Sequence, residues 1–156
     1  MHAPSDTVPP ADPPRALGDG VGFVLAELGK VALARGDQVL APLGLTAKHL
    51  RVLELAAAEP LSQQQLSLRC GVDRTTMVAL VDDFERLGLA ERRRDPADRR
   101  RYVVALTDAG RQALDAGRDA IARAEDELLA ALDDAERAQL RELAHRVLGG
   151  TGTIVC

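Results

Sequence analysis

The sequence predicts a mainly α-helical fold carrying one small β-hairpin. Three observations lead there. Apolar residues recur at helical spacing through most of residues 17–148. That period gives way to strand-like alternation only at Leu89–Arg94 and Arg101–Leu106. Thr46, Ser62, Asp73 and Thr107, each a side chain able to cap a helix, stand immediately ahead of helical runs.

Residues 1–15 contain Pro4, Pro9, Pro10, Pro13 and Pro14 and few apolar side chains, which predicts a disordered or extended lead-in. Leu17 to Leu40 reads as a first helix, with Val21, Val24, Leu28, Val31 and Val39 in its stripe, weakened at Gly36 and ended by Pro42. Thr46 caps a second helix through Leu50, Leu53 and Ala57, stopped by Pro60. Ser62-Gln-Gln-Gln65 fits a capping box and opens a short third helix that closes at Cys70-Gly71. Asp73 caps a fourth, whose inward face is Met77, Leu80, Val81, Phe84 and Leu87, with Gly88 as its stop. The two strands follow, joined by the turn-forming Asp95-Pro-Ala-Asp98-Arg99-Arg100. Thr107 then caps a long helix running to Leu132, and a last helix spans Asp133 to Leu148. Gly149 and Gly150 release a flexible tail, 149–156.

The apolar stripes of the first helix (16–44) and the last two (108–148) have no partner in the central unit, 45–107. Such stripes must be buried, and the simplest arrangement is a homodimer in which the terminal helices of two chains interleave.

Composition narrows the function. A 156-residue chain that is 46% hydrophobic and 28% charged predicts one globular domain rather than a disordered chain. No apolar run is long enough to span a bilayer and residues 1–14 lack the core of a secretion signal, so a cytoplasmic protein, without a membrane role, is expected. With Phe23, Phe84 and Tyr102 as the only aromatic side chains, there is no stacking platform for single strands. The net charge of −4 reads against nucleic acid until its distribution is considered. Residues 62–107 hold nine Arg against seven acids, and 92–101 (RRRDPADRRR) six Arg against two Asp. A basic patch on an acidic chain is an electrostatic footprint, although a solvated face is the blander reading of any charge run.

Two helices joined by a glycine turn over 62–87, followed directly by a basic hairpin, make a winged helix-turn-helix. A helix fits the major groove of duplex DNA, where residues at its exposed start reach base edges. Those are Arg74, Thr75 and Val78, while Ser62 and Thr76 are placed to donate to phosphates. The hairpin arginines, Arg94, Arg99 and Arg100, can reach phosphate or enter the adjacent minor groove, with Asp98 orienting Arg100. Since a strand alternates, at most two of Arg92, Arg93 and Arg94 reach phosphate. Arg86 is open to either a phosphate contact or a salt bridge.

The run Asp73–Leu89, then Arg94-Asp-Pro-Ala-Asp98-Arg99-Arg100, then Val104-Ala-Leu106-Thr107-Asp-Ala-Gly110 resembles the MarR (multiple antibiotic resistance regulator) family over about residues 17–148. The family's wing signature, an Asp, any residue, an Arg, and several residues later Leu-Thr, is met by Asp98, Arg100, Leu106 and Thr107. The resemblance implies a homodimer on palindromic, inverted-repeat operators in double-stranded DNA, repressing transcription until a small anionic or phenolic effector, or an oxidant, intervenes. It also places His49 near the region where family members hold ligands, although a solvent-facing or hydrogen-bonded His is the plainer reading. The family's peroxide-sensing cysteine lies at the start of the first long helix, where this chain has none, and Cys70 reads as a packing residue. His2, His49 and His145 share no metal-ligand spacing, and no phosphate loop or nucleophile–base pairing points to an enzyme, so no metal, cofactor or catalytic residue is expected. The alternative class is a winged-helix module for DNA architecture or protein contacts, without operator specificity.

Overall fold

The computed structural model describes residues 20–150, so the Pro-rich lead-in, His2 and Cys156 lie outside it. Its elements are α1 (Val21–Leu40), a single 3-10 turn (Ala41–Leu43), α2 (Ala47–Ala58), α3 (Gln63–Cys70), α4 (Arg74–Arg86), β1 (Ala90–Arg94), β2 (Tyr102–Leu106), α5 (Asp108–Leu128) and α6 (Asp134–Gly150). The chain divides into two compact units, the first ending at Val31 and the second beginning at Ala32. The described part of the first is the opening of α1, where Val21, Phe23, Val24 and Leu25 are exposed.

In the second unit the helices start where their caps stand. Thr46 accepts from the His49 amide, Ser62 from Gln65, Asp73 from Thr76 and Thr107 from Gly110. Asp37, near the end of α1, adds an acceptor for the Ala47 amide at 2.9 Å. Gly71 turns the chain between α3 and α4 with φ +64°, a left-handed value that a side chain would resist. Phe84, Met77, Leu66, Leu53 and Val104 are fully enclosed, and the core they form joins α2, α3, α4 and β2 to Leu40 at the end of α1 and Leu114 of α5. The stripe of α5 thus has a partner in the central unit, in contrast to the expectation from the sequence.

The hairpin is antiparallel, pairing Ala90 with Leu106 and Arg94 with Tyr102. A bridge between Leu61 and Val104, with the Val104 amide donating at 2.9 Å, ties it to the residue just before α3. Sequence alternation does not reveal that bridge, because Leu61 is a single residue between Pro60 and a cap.

Leu87, expected on the inward face of α4, lies past its end and is exposed. Each strand starts one residue later than expected, and the last two helices differ more. α5 stops at Leu128 rather than Leu132, because Asp133 and Glu136 form reciprocal cap bonds, both 2.9 Å, that start α6. Arg137 braces that corner, donating to Asp126 at 2.9 Å and to the Leu132 carbonyl at 3.1 Å. α6 also continues through Gly149 and Gly150, neither of which has positive φ, so these glycines do not break the helix.

One junction joins four elements. Thr107 donates its amide to the Leu89 carbonyl at 3.0 Å and its hydroxyl to the Gly88 carbonyl at 2.7 Å. One turn later Gly110 lies so close that a Cβ there would fall 1.8 Å from the Leu89 carbonyl oxygen. Replacing a helical Gly by Ala ordinarily stabilises by up to about 1 kcal/mol. Here the sign reverses, because the obstruction is backbone and cannot swing aside. Gly110→Ala is expected to lower unfolding free energy by about 1–3 kcal/mol in a denaturant titration, and a neutral or stabilising result contradicts this packing.

Candidate nucleic-acid interface

α4 buries Met77, Leu80, Val81 and Phe84 and turns Arg74, Thr75, Val78 and Asp82 outward. Arg74, Val78 and Asp82 are spaced at four residues, so they line one stripe of the helix. The start of α4 is rigid. Asp73 accepts the Thr76 amide at 2.9 Å and its hydroxyl at 2.6 Å, and these bonds hold the Asp73 carboxyl below its ordinary range. The Thr76 hydroxyl proton is thereby committed to the cap. The Ser62 hydroxyl is likewise committed, donating to the Gln65 side chain at 3.0 Å while accepting the Gln65 amide at 3.3 Å. Both expected phosphate donors therefore serve first to build their helices.

The arginines sort into two groups. Arg86 pairs with Asp83 at 3.0 Å, Arg93 with Glu91 and Arg69 with Glu59. Arg92 lies against Asp82 (2.6 Å) and Glu85. Arg94 lies over the Tyr102 ring, 5.1 Å from its centre, and donates to the Arg99 carbonyl at 2.6 Å. Arg101 donates to the Gln65 side chain at 3.0 Å. Among the described residues, the guanidinium groups of Arg74, Arg99 and Arg100 are exposed and make no hydrogen bond or ion pair. Charge counting along the sequence does not separate these groups, since the acids that neutralise Arg92 come from α4.

The turn between the strands is built from carboxylates. Asp95 is buried, with its side chain accepting from Ala97 at 2.9 Å and its amide donating to the Arg101 carbonyl at 2.9 Å. The Asp98 carboxylate accepts the backbone amide of Arg100 at 3.0 Å, and its carbonyl accepts from Arg101 at 2.9 Å. Asp98 thus shapes the loop that presents Arg100 and makes no ion pair with its guanidinium, in contrast to the side-chain orientation expected from the sequence. An Asp carboxylate two residues upstream is well placed to accept the backbone amide.

His49 is turned into the seam between α2 and α4. Its Nδ1 accepts the Thr46 amide at 3.1 Å and lies 2.8 Å from the Thr46 hydroxyl, completing a capping box with His in the third helical position. Its ring meets Phe84 edge-on at 5.4 Å, and its enclosed Nε2 lies 3.7 Å from an Asp83 oxygen, beyond hydrogen-bond reach. Nδ1 is thus satisfied within the chain, while the enclosed Nε2 faces Asp83 without a hydrogen bond. Cys70 is half-buried at the close of α3.

Residues 43–101 match the MarR family model. A MarR-family regulator from Rhodococcus sp. RHA1 superposes with a TM-score of 0.73 at 30% identity, covering 85% of this chain and 96% of that one. The chain belongs to the MarR family. CouR, a transcriptional repressor solved on a 23-mer DNA duplex, is 31% identical with a TM-score of 0.74, covering 84% of this chain and 94% of that one. CouR from Rhodococcus jostii RHA1 has also been solved with p-coumaroyl-CoA, at 30% identity, a TM-score of 0.73, and coverage of 85% of this chain and 94% of that one. A Thauera aromatica protein named for transcriptional regulation of the hcr operon is 38% identical over 105 residues, 67% of this chain. The match spans 63% of that relative's length. MarR proteins are transcription regulators and not enzymes, and this chain is a DNA-binding regulator of that family. No helix among the described residues is long and apolar enough to cross a membrane.

Burial depresses the His49 pKa below 6.5, against the smaller opposing pull of Asp83. The folded chain therefore binds this proton less well than the unfolded chain. His49 leaves stability intact above about pH 6.5 and subtracts from it as the pH falls. Urea midpoints between about pH 8 and about pH 5.5 should decline toward acid, and His49→Gln, which can keep the capping box, should flatten part of that decline. An unchanged pH profile in the variant would remove His49 as the cause.

Proposed function

We propose that this MarR-family chain is a cytoplasmic repressor that binds an inverted-repeat operator as a homodimer and is released by a small anionic or phenolic effector. The observation that carries the reading is the set of exposed, unpartnered guanidinium groups, Arg74 on α4 and Arg99 and Arg100 at the wing tip, on elements whose Arg86, Arg92 and Arg93 are held by carboxylates. Arg74, Thr75 and Val78 read the major groove, the valine suiting a thymine methyl. Arg100 enters the minor groove and Arg99 meets phosphate, with Asp98 holding the loop. Ser62, Thr76, Arg86 and Arg94 lie at the rim of the same surface and contribute contacts where their internal bonds permit.

Residues 45–107 form the DNA-reading unit, and 16–44 with 108–148 supply the dimer contacts. Exposed apolar residues of α1 and α6 support this, with Leu33 at 64% and Val147 at 59% exposure, whereas α5 turns Leu114 into the core. A second copy is the occupant that gives two reading units a shared two-fold axis, as an inverted repeat requires. Sedimentation should give about twice 16.6 kDa at micromolar concentration, and a folded monomer would overturn the dimer. CouR's complex with p-coumaroyl-CoA, an anionic phenolic thioester, supports the effector class. His49 has its Nδ1 committed to the Thr46 cap, so an effector contact falls to Nε2, which is enclosed beside Asp83 and lacks a hydrogen-bond partner.

Footprinting on the DNA upstream of its own gene should protect a palindrome, whereas uniform coverage favours a module without operator specificity. Arg99 is the phosphate contact of each protomer, so Arg99→Ala should make the log–log salt slope of the dimer shallower by about 2. Arg100→Ala should weaken all operator variants alike, by ~1–3 kcal/mol for each arginine removed, while Arg74→Ala flattens preference at particular half-site positions. An Arg100→Ala protein of full affinity would contradict this division of roles.

A further inference from the structure

We propose that Arg92 is a positioning residue for DNA recognition, a clamp that sets the wing at a fixed attitude to α4. This rests on the reading that α4 and the wing tip contact DNA together. Arg92 lies at the base of the wing, on β1, with its side chain 28% exposed. Its Nη2 donates to Asp82 at 2.6 Å, its Nη1 donates to Glu85, and its Nε reaches the Gln63 side-chain oxygen at 3.4 Å. Its backbone amide donates to Glu85 at 3.2 Å. One guanidinium therefore ties β1 to both α4 and the first turn of α3.

Major-groove and minor-groove contacts must be satisfied at once, and their separation is set by the duplex. A hairpin hinged on a few backbone bonds would have to give up its freedom on binding, which costs affinity. The fork of Arg92 removes that freedom beforehand, because its planar donors can meet two carboxylates and an amide oxygen in one geometry. The same contact neutralises Asp82, which shares a stripe with Arg74 and Val78 and would otherwise face phosphate. Two carboxylates against one cation leave no uncompensated positive charge, so Arg92 is not itself a phosphate contact, in contrast to Arg99.

The test uses the full-length dimer and an operator defined by footprinting. Arg92→Lys keeps the charge and loses the fork. A clamp predicts about tenfold weaker binding, an unchanged salt slope, and faster hydrogen exchange in the amides of residues 90–106 of the free protein. A phosphate contact predicts near-normal affinity for the Lys variant, and that result overturns the proposal. The double variant Asp82→Asn with Glu85→Gln supplies the opposite sign. Electrostatics alone makes loss of two acids from the DNA face tighten binding, whereas the clamp requires weakening with the same loss of exchange protection. Tighter binding, or unaltered exchange in both variants, overturns the clamp. Absence of operator binding by the unaltered protein fails the underlying reading instead, while the exchange data still report whether Arg92 holds the wing.

Discussion

The contact between Thr107 and the Gly88-Leu89 backbone is the joint on which the DNA-reading unit depends. α4 ends there, β1 begins there, β2 returns to it, and α5 departs from it. A hydroxyl and an amide from one residue satisfy two carbonyls, while Gly110 lets the next turn approach without a Cβ in the way. The Leu-Thr of the family's wing signature thus has a mechanical meaning. Leu106 closes the core beneath the hairpin, and Thr107 fastens the hairpin's exit strand to its entry strand.

From that joint the hairpin reaches outward, and its charges are apportioned along its length. At the base, Arg92 and Arg93 are neutralised by carboxylates. At mid-length, Arg94 lies on Tyr102 and holds the Arg99 carbonyl, while Arg101 is held by Gln65. Within the hairpin, the unpaired guanidinium groups are those of Arg99 and Arg100, at the tip. The overall charge of −4 therefore coexists with DNA binding without contradiction. Many of the acids near the interface serve to hold arginines in place, and two of the three unpaired guanidinium groups on this face stand where the wing ends.

The helices are legible in the sequence because their caps are local: Thr46, Ser62, Asp73 and Thr107 each act within three residues of where they stand. The hairpin is legible because its alternation spans consecutive positions, and the wing signature makes the family legible from the order of residues alone. Legibility ends where partners come from different elements. The Asp82–Arg92–Glu85 contact spans α4 and β1, and the Leu61–Val104 bridge joins residues more than forty positions apart. The end of α5 escapes for a related reason, since Leu129 and Leu132 continue a helical stripe while the Asp133–Glu136 cap ends the helix before the stripe does. Apolar period reports which face is buried, whereas caps decide where a helix stops.

Asp98 illustrates the same limit within the signature itself. Spacing alone suggests that an Asp two residues before an Arg holds its guanidinium. The carboxylate instead receives the Arg100 amide, and Asp95 receives the Ala97 amide in the same way, so the tip is two side-chain-closed turns in succession. This arrangement rigidifies the loop's backbone and leaves the arginine side chains free. A rigid stem with mobile guanidinium groups suits a groove whose width varies with sequence, because the backbone supplies position while the side chain adapts. If the tip contacts DNA as proposed, rotamer freedom is lost there on binding, whereas the backbone order beneath it has already been established on folding.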